Sequence, residues 1–269
     1  MILLVTDLDH TLVGDDQATA AFNSWVKSQG EQVKLVYATG RSLTSAQGLQ
    51  REKTLLEPDY WAVSVGTEIY HQGELDLTWA AQLDQGWDRA RVVQITTQFP
   101  QLKLQLATEQ RPWKVSFTLV PGDADWIMGE LTAQFQSSRL AAQLIYSSDR
   151  DLDILPKQGH KGHAVTYLQN LRQVPAEQTV VCGDSGNDLS MFQTSARGIV
   201  VGNAQLELRQ WVQTADQHRH YLAKQSHAWG ILEGLAYFYP SHFPPQNSPF
   251  QAPKQVGGLN RSSLYRFSN

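Results

Sequence analysis

The chain has 269 residues, of which 41% are hydrophobic and 18% charged, and it carries a formal net charge of −4. That length accommodates one large domain or two small ones around a sizeable core, and the composition excludes a wholly disordered chain. The mild acidity leaves no basic stripe for nucleic acid, so a phosphorylated ligand would need locally placed cations.

The opening stretch MILLVTDLD is apolar only briefly before Asp7, with no basic segment ahead of it. It reads as a buried strand, ILLVTD, and not as a signal peptide. No later apolar run is long enough to span a bilayer. The single cysteine, Cys182, excludes an intrachain disulfide and fits a reducing compartment. The expectation is a soluble, cytoplasmic monomer without membrane contact.

Side chains alternate along a strand, so Asp7 and Asp9 in DLDHT can point to the same side where it ends. Two adjacent carboxylates repel unless a cation sits beside them, and a hard ion such as Mg²⁺ suits oxygen ligands. A plain turn with Asp9 as a cap would also explain the pair. So would the DxD of glycosyltransferases, which holds a divalent ion against a nucleotide diphosphate.

A helix over 16–29 leads to the strand VKLVYATG, which ends in Thr39, Gly40 and Arg41 before a helix over 42–53. A hydroxyl and unshielded amides at a helix N-terminus form an anion site, although an ordinary N-cap with a turn glycine has the same look. The strand YWAVSVG follows. Strands of this kind alternating with helices indicate a doubly wound parallel sheet, an α/β fold.

Over roughly 79–156 the pattern changes to a long helix (AAQLDQGWDRARVVQITTQF), a strand (WKVSFTLV), a helix (ADWIMGELTAQFQ) and the strands AAQLIYSS and DLDILP. That order describes an α+β unit inserted between residues 1–78 and 157–244 of the main domain. An insertion over the carboxyl edge of a parallel sheet is a candidate cap above a ligand site.

HKGHA then starts a helix with Lys161, where the macrodipole disfavours a cation unless an anion is near. A solvated Lys161 is the plainer alternative, and Lys157 is the other nearby cation. The strand TVVCGD ends in Asp184, with Asn187 and Asp188 one turn later in GDSGND on a helix over 184–193. Asp184 can ligate a cation while Asp188 supports its water shell or orients Lys161. A helix over 205–214 follows, and residues 245–269 read as a disordered tail. Each stretch alone has a bland explanation; four at one edge of one sheet point jointly to a phosphate and metal site.

With DLDHT, a Thr closing the second strand, a helix-borne Lys and GDSGND, the sequence resembles the haloacid dehalogenase superfamily of phosphohydrolases. Within it, YATGRS, VGTEIYH, PWKVSF, HKGHAVTYLQ, TSARGIVVGNAQ and RHYLAKQSHAWGILE are similar to cyanobacterial sucrose-phosphate phosphatases over about residues 1–238. The resemblance implies hydrolysis of sucrose 6-phosphate through a phosphorylated Asp7. Asp9 would be the acid and base, and Thr39, neighbouring amides and Lys161 would bind the transferred oxygens. Mg²⁺ would sit on Asp7, the Asp9 carbonyl and Asp184, supported by Asp188.

The resemblance places Glu68 and Lys114 in stretches that face the sugar, and Arg41 and Asn187, flanking the phosphate motifs, are candidates for sugar or phosphate; surface polar roles compete for these residues. Trp61, Trp79, Trp87 and Trp113 are read mainly as packing, His160, His163, His218, His220 and His227 as surface or packing residues without zinc spacing, and Cys182 as a buried apolar residue. The rivals are a phosphatase of trehalose phosphate, mannosylglycerate phosphate or a hexose phosphate, a phosphomutase, and a non-catalytic partner of sucrose-phosphate synthase. That synthase is also a candidate partner of an active enzyme.

Overall fold

The computed structural model describes residues 1–147 and 149–243; the tail expected over 245–269 lies outside them. The chain begins with β1 (Ile2–Thr6), whose Leu3, Leu4 and Val5 are wholly buried, as a strand covered on both faces must be. Asp15 then caps α1 (Asp16–Gln29) by accepting hydrogen bonds from the amides of Gln17 and Ala18. Next come β2 (Val33–Ala38), α2 (Leu43–Lys53) and β3 (Tyr60–Val63), then the short antiparallel additions β4 (Glu68–His71) and β5 (Glu74–Leu75).

The single long helix expected next is two, α3 (Leu77–Leu83) and α4 (Arg89–Thr96). Gly86 adopts φ 74° between them, and Asp88 caps the second helix through the amide of Arg91. Trp79 and Leu83 of α3 pack into the larger hydrophobic cluster, whereas Val92 and Ile95 of α4 belong to a smaller one.

The smaller cluster lies under β6 (Lys103–Leu104), β7 (Val115–Thr118), α5 (Pro121–Ser137), β8 (Ala142–Ser147) and β9 (Asp151–Pro156). Its strands form an antiparallel sheet in the order β6-β7-β9-β8. Val115, Phe117, Leu152 and Ile154 face the helices in the cluster. The period of two therefore puts Ser116, Asp151 and Asp153 on the opposite, polar face.

The chain returns through α6 (Lys161–Arg172), β10 (Thr179–Gly183), the short α7 (Leu189–Phe192), β11 (Arg197–Val200), α8 (Leu206–Thr214), β12 (His220–Leu222) and α9 (His227–Phe238). The helix expected from Asp184 begins later, because Ser185 and Asp188 form a capping box around a tight turn first.

The large sheet runs β12-β11-β10-β1-β2-β3-β4-β5, parallel from β12 to β3 and antiparallel beyond. The doubly wound α/β expectation holds, with an antiparallel edge added. Chain order reverses between β1 and β10, and a crevice opens outside the carboxyl ends of strands at such a switch point. Thr6 lies level with Tyr37 on one side and Cys182 on the other. Asp7, Thr39 and Asp184 consequently emerge together.

Candidate active site

Lys161 is fully buried, and its Nζ donates to Asp7 Oδ1 at 2.7 Å, Asp188 Oδ1 at 2.6 Å and Asn187 Oδ1 at 3.1 Å. Its backbone is set by His160, which caps α6 through the amide of His163, and by Gly66, where a Cβ would lie 2.8 Å from the Lys161 amide nitrogen. Burial disfavours the ammonium, but Asp188 and Asp7 outweigh burial and raise its pKa above the ordinary lysine value.

Burial raises the Asp7 carboxyl well above its usual range; Lys161 opposes that rise, while Asp188 and Asp184 add to it. Burial and then Asp188 push Asp184 up to about 6, against a 2.8 Å hydrogen bond from Thr11 Oγ1 and the attraction of Lys161. Asp7, Asp184 and Asp188 each offer an oxygen within 4.8 Å of the others. Three buried carboxylates facing one ammonium carry excess negative charge, which fits a hard divalent cation. Asp188 has little capacity left: Oδ1 serves Lys161, and Oδ2 accepts from the amides of Asp184 and Ser185 at 3.0 and 3.1 Å. That leaves Asp7 and Asp184 as the freer donors.

A cleft of about 300 Å³ lies over these groups. Asp7, Asp9, Thr39, Gly40, Arg41, Asp184 and Asn187 line it from below. Asp9 is clasped by Arg41, whose Nε and Nη2 donate to its two oxygens at 2.7 and 2.8 Å. Thr39 Oγ1 accepts from the Arg41 amide at 3.2 Å. Lys114 lines the cleft from above and reaches down to the Gly40 carbonyl at 3.0 Å, with Glu109 Oε2 at 3.3 Å.

The match to a known family runs over residues 1–239 and so takes in both sheets. The chain belongs to the sucrose-6F-phosphate phosphohydrolases. It is 38% identical over 263 residues to sucrose-phosphatase 1 of Nicotiana tabacum, covering 92% of this chain and 61% of that protein. The chain thus spans about three fifths of the length of such plant relatives. The mannosylfructose-phosphate phosphatase of Agrobacterium fabrum is 34% identical, with 88% of this chain and 96% of that protein covered. The solved structure of the Synechocystis sucrose-phosphatase, in complex with sucrose and phosphate, superposes with TM-score 0.84 at 44% identity, covering 88% of this chain and 97% of that one.

In this member of the phosphohydrolase family one expected residue sits elsewhere. Glu68 does not reach the cleft. Its carboxylate is buried and accepts from Arg111 Nε and Nη2 at 2.7 and 2.8 Å, Tyr70 Oη at 2.6 Å and Ser64 Oγ at 3.2 Å. Burial pushes its pKa up, but the bonds from Arg111 and Tyr70 prevail and hold it below the ordinary value. The four tryptophans singled out in the sequence are absent from the cleft wall. Trp79 bonds the Gly66 carbonyl, Trp87 the Pro112 carbonyl and Trp113 the Asp84 carboxylate. Cys182 is buried, and burial raises its thiol pKa, in keeping with a packing role.

The upper wall also holds Gln105, Glu109, Ser147, Asp151 and Asp153, which sequence reasoning passed over. The alternation in DLDIL was their only local signal, since Leu152 and Ile154 enter the small core and leave both aspartates on the cleft face. Gln105 Nε2 donates to Asp151 Oδ1 at 2.9 Å, and Ser116 bonds Asp153.

Proposed function

We propose that the chain hydrolyses sucrose 6-phosphate to sucrose and inorganic phosphate, using Mg²⁺ held by Asp7, Asp184 and the main-chain carbonyl of Asp9. The observation that carries this reading is the convergence of Asp7, Asp184, Asp188 and Lys161 beneath a polar sheet face, in a chain of this family. The smaller unit, about residues 79–156, then serves as the cap.

The Asp7 carboxylate attacks phosphorus, the P–O bond to the sugar breaks, and an aspartyl phosphate forms. Asp9, once it has parted from Arg41 and taken up a proton from solvent, gives that proton to the departing sugar oxygen. It then takes a proton from the water that hydrolyses the acyl phosphate. Thr39, the amides after it and Lys161 hold the non-bridging oxygens as charge develops. Asn187 and Asp188 keep the Lys161 ammonium on the Asp7 oxygen. Mg²⁺ when bound supplies the positive charge that lets a phosphate dianion approach the Asp7 carboxylate.

The upper wall is rich in carboxylates and amides, which suits a ligand with many hydroxyls to donate. Gln105, Glu109, Lys114, Asp151 and Asp153 are the proposed sugar contacts, and Arg41 reaches the phosphate or the ester oxygen. The Agrobacterium relative favours a second reading, mannosylfructose phosphate, because it is matched along nearly its whole length. Comparing kcat/KM for the two disaccharide phosphates separates the readings: a preference for sucrose 6-phosphate supports the first, and the reverse order replaces it with the second.

A further inference from the structure

Ser64, Val65 and Gly66 take φ of 55°, 63° and 89° in succession. Three consecutive left-handed residues, one of them β-branched, are a costly conformation that persists only when its surroundings enforce it. The turn is fully buried, and its amides point at the phosphate-binding loop: Val65 N donates to the Thr39 carbonyl at 2.9 Å and Ser64 N to the Arg41 carbonyl at 2.7 Å. The carbonyl between them, on Gly40, accepts from Lys114 Nζ at 3.0 Å. All three carbonyls of the loop are therefore engaged. Because a trans peptide sets N–H opposite the preceding C=O, this turns the amides of Gly40, Arg41 and Ser42 the other way.

The turn is tied in its turn to the smaller unit. Ser64 Oγ bonds Glu68, and Glu68 receives the bidentate fork of Arg111. Arg111 and Lys114 pair through their backbones at the two ends of one tight turn, RPWK, so a single rigid element reaches the loop twice. One path runs directly through Lys114. The other runs through Arg111, Glu68 and Ser64.

We propose that the Arg111–Glu68 pair is a positioning device that couples the seating of the cap to the alignment of the phosphate-binding loop. Cap closure and phosphate binding then become one event, and Arg111 acts on the phosphate without touching it. This rests on the phosphatase reading above.

The test compares Arg111→Met and the double variant Glu68→Gln/Arg111→Met with the wild type, on sucrose 6-phosphate and on p-nitrophenyl phosphate, whose leaving group needs no sugar contacts. Inhibition by inorganic phosphate and the melting temperature complete the set. The expected result is a fall in kcat of about 10- to 100-fold on both substrates, with phosphate inhibition weakened in step; melting falls in Arg111→Met, which leaves Glu68 buried without its cation, and stays near the wild-type value in the double variant. Arg111→Lys restores the charge but not the fork, and should recover only part of the loss. A loss confined to the KM for sucrose 6-phosphate would make Arg111 a sugar contact and overturn the proposal, as would unchanged kcat on both substrates. If Arg111→Met leaves Glu68 buried, unpaired and the chain unfolded, the double variant decides by the same criteria. A wild type inactive on sucrose 6-phosphate but active on p-nitrophenyl phosphate would sink the substrate reading alone, and the coupling would still be read on the second substrate.

Discussion

Arg41 holds both carboxylate oxygens of Asp9, with Nε at 2.7 Å and Nη2 at 2.8 Å, while its Nη1 rests on Ser45. Held this way, Asp9 must part from Arg41 before either oxygen can exchange a proton with a leaving oxygen or a water. Asp9→Asn keeps the size and one acceptor, and the Asp9 side chain is 40% exposed, so folding should survive. Turnover should fall about 10²- to 10⁴-fold, the usual contribution of a positioned acid–base group. Steady-state kinetics showing near-normal kcat would remove Asp9 from proton transfer.

Asp7→Asn removes the nucleophile, and kcat should drop by at least about a thousandfold. The same change relieves a carboxyl whose pKa burial raises, with Asp188 and Asp184 adding to the rise. Metal-free Asp7→Asn protein should therefore melt at or above the wild-type temperature. A variant both inactive and markedly less stable would mean that Asp7 holds the fold together, and its catalytic role would need other support.

Lys161→Met leaves Asp7 and Asp188 buried without their shared cation. Breaking a buried ion pair from one side costs about 3–5 kcal/mol, far more than an exposed pair is worth. Urea unfolding of the metal-free protein measures this. A loss below about 1 kcal/mol would mean that water enters the cluster and solvates the carboxylates.

The residues that could be read from sequence sit where a strand stops or a helix starts. Asp7, Thr39, Lys161, Asp184 and Asp188 each follow directly from such a local signal, and the register of β1 with β2 and β10 then brings the strand ends level. The cap residues had no such anchor. Whether Asp151 and Asp153 face solvent or the cleft depends on which side of the small sheet carries α4 and α5, a tertiary fact. By the resemblance Glu68 is expected on the sugar, yet the left-handed turn before β4 swings it under Arg111. The helix α9 escaped notice because AWGILEGLAYF is apolar nearly all round, as suits a helix buried against the sheet, and so lacks a clear period. Strands β11 and β12 are four and three residues long, too short for alternation to register.

Metal affinity should depend on pH through Asp184, whose carboxyl is pushed up to about 6. A carboxyl raised on folding favours the protonated native state. The stability it contributes is present below the unfolded value of about 4 and is lost as pH rises through about 6. Mg²⁺ needs the deprotonated form, so the thermal shift it produces should be large near about pH 7.5 and small near about pH 5. Equal shifts at both values would place the ion away from Asp184.

Truncation after Phe243 retains the whole of the family match, which ends at residue 239. Turnover of the shortened chain should stay within about twofold of the full chain, because every residue placed in the site is retained. A large loss would show that residues 244–269 contact the site or the cap.

The most direct measurement is phosphate release from sucrose 6-phosphate, trehalose 6-phosphate, glucose 6-phosphate and fructose 6-phosphate, each with Mg²⁺ and with EDTA. A site built to hydrogen-bond one sugar discriminates strongly against others, so kcat/KM for sucrose 6-phosphate should exceed the rest by at least about 100-fold and vanish in EDTA. Equal turnover of all four, or turnover indifferent to EDTA, would contradict the account.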